Sequence, residues 1–183
     1  MRASVDKTQL GRAGELAMAL YAMVSSDGEL ELFTPVADDD HVDATAARRG
    51  GVPAIAIQVK TASGLDRNGL VEAKADYPSG HVREHRAFLY VVLLLDSVAI
   101  GAAWILPSPD FNRLAYKHID GGREILEFRG DPARSDSYAI FRVPPLELGP
   151  RLLSAADSVE ESIPPEFVSA ASGLMGAARR TVR

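Results

Sequence analysis

Ala54-Ile55-Ala56-Ile57-Gln58-Val59-Lys60-Thr61 is the stretch on which the reading of the fold turns. It is rich in Ile and Val, has strand length, follows the turn signal Arg49-Gly50-Gly51 and precedes a polar run from Ser63 to Gly69. Those features predict a central strand. Alternation sends Ile55, Ile57 and Val59 to one face. Gln58 and Lys60 share the other, about 7 Å apart at the rise of a strand. An amide and a lysine in so apolar a strand imply a polar site where the core side of the sheet opens.

Upstream, Leu30–Thr34 and Val42–Arg48 read as two further strands, the first stopped by Pro35. Alternation from His41 puts His41, Asp43 and Thr45 on one face. Aspartate is disfavoured inside strands, so Asp43 at a strand entry marks either a turn or a functional position. The acidic residues 38–40 read as an exposed loop. Between Thr8 and Val24 the recurrence of Leu10, Ala13, Ala17, Leu20, Tyr21 and Val24 predicts a helix closed by Asp27-Gly28. Glu15 is the single charged residue between Gly14 and Ser26. It lies about 160° from the Leu10/Ala17/Val24 stripe, among Gly11, Met18, Ala19 and Ala22. A carboxylate set into such a face needs a cation, a metal or a salt bridge beside it.

Downstream, residues 87–107 are apolar over a length that would span a membrane, except for Asp96-Ser97 at the centre. A carboxylate there would cost about 3 kcal/mol in hydrocarbon. Two buried strands, 88–95 and 98–106, turning at Asp96-Ser97, explain the same residues without that cost. Past Pro107 the pattern predicts a short helix over 110–118, peripheral strands over 124–128 and 138–143, and a helix over 146–158. The organisation is one α/β domain, residues 1–160, with a helical or loosely ordered tail over 161–183.

The chain has 183 residues, no cysteine, 20 Lys+Arg against 25 Asp+Glu and a formal net charge of −5. Disulfide scaffolds, thiolate metal sites and cysteine nucleophiles are thereby excluded. The acidic balance argues against binding nucleic acid through bulk charge, though not against a local basic groove. The N-terminal sequence carries no uninterrupted apolar core of a secretion signal, so the expectation is a soluble cytoplasmic protein.

Glu15 on a leading helix, Val42-Asp43 opening one strand and Gln58-Val59-Lys60 on the next resemble the PD-(D/E)xK nuclease superfamily. Gln58 follows Asp43 by fifteen positions, and Lys60 follows Gln58 by two. Ile57-Gln58-Val59-Lys60-Thr61 is similar to the IQVKT signature of small nuclease-like domains in that group. The resemblance covers roughly residues 8–107 and implies a restriction-endonuclease-like fold, a mixed central β-sheet flanked by helices. It further implies a helix-bearing segment after the signature strand. Gln58 departs from the pattern, since Asp or Glu usually stands there.

The activity implied is metal-dependent endonucleolytic hydrolysis of nucleic-acid phosphodiester bonds, with DNA as the expected partner and Mg²⁺ or Mn²⁺ as cofactor. Glu15, Asp43, the Gln58 side chain and the backbone carbonyl of Val59 are the implied metal ligands. Such oxygen donors suit a hard divalent cation that polarises phosphate and acidifies water. Lys60, with Gln58 beside it, is the implied catalytic residue, stabilising charge that develops on the phosphate. Arg48, Arg49, Arg67, Arg83, His85 and Arg86 are candidates for a nucleic-acid-facing rim, as is Lys74. Cutting both strands of a duplex would call for a homodimer. The alternative is a catalytically silent nuclease-fold module that binds nucleic acid or a protein partner. His81-Val82-Arg83-Glu84-His85 also matches the H-x-x-E-H pattern of inverted zinc peptidases, which requires both histidines on one helix.

Overall fold

The computed structural model describes residues 6–35 and 41–160. The acidic residues 38–40 and the tail expected over 161–183 lie outside the described residues.

Helix α1 spans Lys7–Ser25 and starts at Asp6, whose carboxylate accepts the Gln9 N–H at 2.8 Å while the Gln9 side chain accepts the Asp6 N–H at 3.1 Å. This reciprocal capping satisfies two of the helix's first donors. Its buried residues are Gly14, Met18 and Ala22; of the Leu10/Ala17/Val24 stripe, Leu10 and Ala17 pack half-buried against the same core while Val24 is exposed. Leu16, Leu20 and Val24 are 58%, 58% and 65% exposed. Proximity is the reason. A Cβ at Gly14 would lie 1.8 Å from Thr61 Oγ1, so only the small-residue face fits against the sheet. Glu15 therefore sits beside the packed face, half-buried.

Strands β1 (Leu30–Phe33), β2 (Ala44–Arg48), β3 (Ile55–Ala62), β4 (Val71–Pro78), β5 (Phe88–Asp96) and β6 (Ala99–Pro107) follow. After them come helix α2 (Ser108–Leu114), strands β7 (Tyr116–Asp120), β8 (Arg123–Gly130) and β9 (Arg142–Val143), and helix α3 (Leu148–Glu160). The main sheet has the order β1-β2-β3-β5-β6-β9, and a second sheet has the order β4-β8-β7. Among the described residues only β3 and β5 pair in parallel; every other pairing is antiparallel. The apolar stretch 87–107 is the expected strand pair, with Ser97 at φ 59° in the turn.

A core covers each face of the main sheet. On one side Ile55, Ile57, Val59, Leu89, Val91 and Leu93 pack with Met18 and Ala22 of α1 and Leu152 and Ala156 of α3. On the other, Tyr90, Val92, Trp104 and Leu106 pack with Ala75, Tyr77, Leu126 and Phe128 of the second sheet and Phe111 of α2. Strand β5 is apolar from Phe88 to Leu95 because it serves both cores.

The structure corrects several expectations. Val71–Pro78 forms β4 rather than a helix: Val71, Ala73, Ala75 and Tyr77 are buried while Glu72, Lys74, Asp76 and Pro78 are exposed, a period of two. The helix expected over 110–118 ends at Leu114, and Tyr116 already begins β7. Residues 138–143 hold a single 3₁₀ turn, Ala139–Phe141, before the two-residue β9. Pro150 lies in the first turn of α3, where its missing N–H costs nothing. His81–His85 is not helical, which removes the zinc-peptidase arrangement.

Gly14 and Gly11 separate close approach from mere flexibility, since nothing lies within 4 Å of a Cβ built at Gly11. Gly14→Val is expected to lower unfolding free energy by about 1–3 kcal/mol through overpacking against Thr61. Gly11→Ala is expected to raise it by about 0.5–1 kcal/mol. Urea denaturation measures both.

Candidate active site at the end of strand β2

Strand β2 runs antiparallel to β3 in the register Ala46↔Ile55, Thr45↔Ala56, Ala44↔Ile57. The last backbone bond of that edge is Asp43 N–H to Ile57 C=O at 2.9 Å. Upstream the chain turns away through His41, whose φ is 55°. The next inward donor on β3, the Val59 N–H, is accepted instead by Asp43 Oδ2 at 2.6 Å. A carboxylate thus replaces the missing strand, in a short charge-assisted bond. In an extended strand the N–H and C=O of one residue point to the same side, so the Val59 carbonyl also emerges past the end of β2. Asp43 therefore lies just before the strand rather than in it.

Gln58 and Lys60 occupy the β3 face that looks toward the second sheet, Gln58 buried and Lys60 half-buried. Tyr77 of β4 reaches across: its hydroxyl lies 2.9 Å from Gln58 Oε1 and 2.6 Å from the Tyr90 hydroxyl. Tyr90 stacks on Phe111 with centroids 3.9 Å apart, and the His41 ring meets Tyr77 edge-on at 5.2 Å. Burial pushes both tyrosine hydroxyls up from their ordinary pKa; at Tyr77 the negative charges of Asp43 and Asp76 add to it.

Asp76, next to Tyr77 on the exposed face of β4, joins the same surroundings. Its carboxyl is held below the ordinary aspartate value first by the hydrogen bond from Arg123 (Nε to Oδ2, 2.8 Å). The positive charges of Arg123, Lys60 and His41 lower it further, against an opposing effect of burial. Tyr77, Asp76 and Tyr90 were absent from the site read in the sequence. The alternation Val71-Glu72-Ala73-Lys74-Ala75-Asp76-Tyr77 was the signal that would have found β4 and its aromatic end.

Asp43, Gln58, Val59 and Lys60 are brought together. Glu15 comes from the other face: Gly14 rests on Thr61, one residue beyond Lys60, and the Glu15 carboxylate is ion-paired with Arg12. Thr61 Oγ1 is buried at that crossing with no hydrogen-bond partner among the described residues.

The basic residues divide by the end of β3 they occupy. Arg48 closes β2 at the end opposite Asp43 and grips Asp157 of α3 with two bonds, 3.1 and 2.7 Å, with Glu29 at 3.6 Å. Arg49 is exposed in the adjoining turn. Because Ala56 pairs with Phe88, residues 83–87 reach the sheet beside the start of β3. Arg83 lies over the Phe88 ring at 5.3 Å. His85 accepts the Ala87 N–H at Nδ1, and its backbone is held by Ser108. Arg86 is exposed. Thr45, Ala56, Arg83, His85 and Phe88 line an open groove of about 300 Å³ there. Arg67 is exposed in the turn after β3, at the Lys60 end.

Among the described residues no group of three or more His, Asp or Glu side chains converges on one cation position. The oxygen donors gathered at the end of β2 are the Asp43 carboxylate and the Val59 backbone carbonyl, a type that suits a hard divalent ion; the Gln58 amide oxygen is engaged by the Tyr77 hydroxyl. No helix among the described residues is long and apolar enough to cross a membrane.

No protein-family model matches the chain, and no curated protein matches it. Among solved structures the chain is similar to a bacterial homing endonuclease, I-Ssp6803I, with a TM-score of 0.60 at 13% identity, covering 87% of this chain and 100% of that one. At that identity the likeness is one of fold. The architecture is accordingly a mixed central sheet flanked by helices, restriction-endonuclease-like.

Asp43 has a structural duty that a neutral isostere can share. Asp43→Ala is expected to cost about 1–3 kcal/mol because the Val59 N–H loses its acceptor. Asp43→Asn keeps an acceptor oxygen and is expected to cost less than half as much in urea denaturation.

Proposed function

We propose that this chain hydrolyses phosphodiester bonds of nucleic acid, DNA foremost, as a member of the PD-(D/E)xK nuclease superfamily. The observation that carries the reading is the Asp43 carboxylate, anchored on the Val59 N–H at 2.6 Å, beside Gln58 and Lys60 of the same strand. Support comes also from the fold it shares with a homing endonuclease. A Mg²⁺ or Mn²⁺ ion would be held by Asp43 and the Val59 carbonyl, with Glu15 as the second carboxylate and Gln58 adjoining. Bound there, it would polarise the scissile phosphate and acidify the attacking water.

Asp43 is pre-oriented for this by its backbone bond, so its carboxylate does not reorganise when a cation arrives. Lys60 faces the same space and offsets negative charge growing on the phosphate in the transition state. Arg83, His85 and Arg86 flank the start of β3, and Arg67 its end, where they contact the phosphates on either side. Arg49 extends that rim, and Arg48 serves it while bound to Asp157. Two copies of the chain would cut the two strands of a duplex.

A silent binding module is the second reading, favoured by the Glu15–Arg12 ion pair and by an amide where an acid usually stands. Cleavage of linear, nicked, branched and single-stranded DNA and RNA in Mg²⁺ or Mn²⁺ decides between them. Wild type is expected to cut, with Asp43→Asn and Lys60→Ala each slower by at least about a hundredfold. Absence of cleavage on every substrate selects the binding module, and cleavage that survives both substitutions refutes this site.

A further inference from the structure

Gln58 is the least explained member of the site, and the hydroxyls behind it determine which end of its amide it can offer. Tyr90 is completely buried, and among the described residues its hydroxyl meets one hydrogen-bond partner, Tyr77. Tyr77 in turn lies between Tyr90 and Gln58, at 2.6 and 2.9 Å. Two hydroxyl protons and one amide must be arranged along this row.

Suppose that the Gln58 NH₂ donated to Tyr77. The Tyr77 proton would then go to Tyr90, and the Tyr90 proton would be left in an apolar wall against Phe111 with no acceptor. A buried donor abandoned in that way costs about 1–3 kcal/mol. The opposite order satisfies both hydroxyls and the amide oxygen: Tyr90 donates to Tyr77, Tyr77 donates to Gln58 Oε1, and the amide nitrogen turns away from Tyr77. Oε1 is thereby engaged by a buried hydroxyl, while the two N–H bonds of Nε2 are left for the site.

We infer that Gln58 enters the site as a hydrogen-bond donor to the phosphate oxygens of a bound nucleic acid rather than as a metal ligand, with Tyr77 and Tyr90 as the positioning residues that orient its amide. The inference rests on the proposal that this chain binds nucleic acid. It also gives the amide a use that a carboxylate at this position could not serve, because a carboxylate has no proton to donate to phosphate. The cation is then held by Asp43, the Val59 carbonyl and Glu15.

The test follows the Gln58 side-chain NH₂ resonances in the ¹⁵N-labelled wild-type chain on addition of a short DNA duplex without metal. They are expected to shift. In Tyr90→Phe the row loses its directing proton, so these resonances should split or broaden; no change in that variant overturns the positioning role. In parallel, duplex affinity by fluorescence anisotropy and Mn²⁺ affinity by electron paramagnetic resonance are measured for Tyr77→Phe/Gln58→Leu. That double variant removes both hydrogen-bonding partners and strands only the Tyr90 hydroxyl. Duplex affinity is expected to fall about tenfold with Mn²⁺ affinity unchanged. A tenfold loss of Mn²⁺ affinity, or an unchanged duplex affinity, overturns the inference. A wild-type chain that binds no duplex removes the nucleic-acid reading and this inference with it. Duplex binding that leaves the Gln58 resonances unmoved overturns this inference alone.

Discussion

The bond between the Asp43 carboxylate and the Val59 N–H is the constraint around which the site is arranged. A central strand cannot leave an inward donor without a partner, and β2 ends two residues too early to supply one from its own backbone. Filling the gap with a side chain rather than another strand residue has two consequences. It leaves the edge of β3 open beyond Ile57, and it fixes a negative charge at that opening. Gln58 and Lys60 then project from the same few residues of strand, so the polar groups share one rigid element.

What holds that element still lies on both sides of it. On one face Gly14 lets the backbone of α1 press onto Thr61, and Gly149 lets α3 press in turn onto α1, since a Cβ there would lie 2.2 Å from the Ala22 carbonyl oxygen. On the other face the second sheet seats Tyr77 under Gln58, with Tyr90 and Phe111 stacked behind. The second sheet is therefore the wall of the site as well as a lid on the core. Nothing in β3 alone would reveal this.

The legible part of the sequence was the part whose pattern is local. Ile55 to Thr61, the turn at Asp96-Ser97 and the helix end at Asp27-Gly28 follow from periodicity and breakers, and β1, β2, β3, β5, β6 and β8 lie within a residue or two of their predicted bounds. The periodicity of α1 left both of its sides apolar or small, and which of them presses onto the sheet is decided by the close crossing at Gly14. Strand β4 was missed because its buried positions include two alanines, which carry little hydrophobic signal beside the charges of Glu72, Lys74 and Asp76. With β4 went Tyr77 and Asp76. Asp43, Gln58 and Lys60 stood out as candidates because they depart from the pattern around them, whereas Val59 entered only through the resemblance. The ion pair of Arg48 with Asp157 spans 109 residues, a separation that no local pattern encodes.

Calorimetric titration of Mn²⁺ into the wild-type chain and into Asp43→Asn tests the central claim most directly. The asparagine can still accept the Val59 N–H, so the fold is kept while the charge is removed. The account predicts saturable Mn²⁺ binding by the wild type and none by the variant. Equal binding by both, or none by either, would contradict an Asp43-centred metal site.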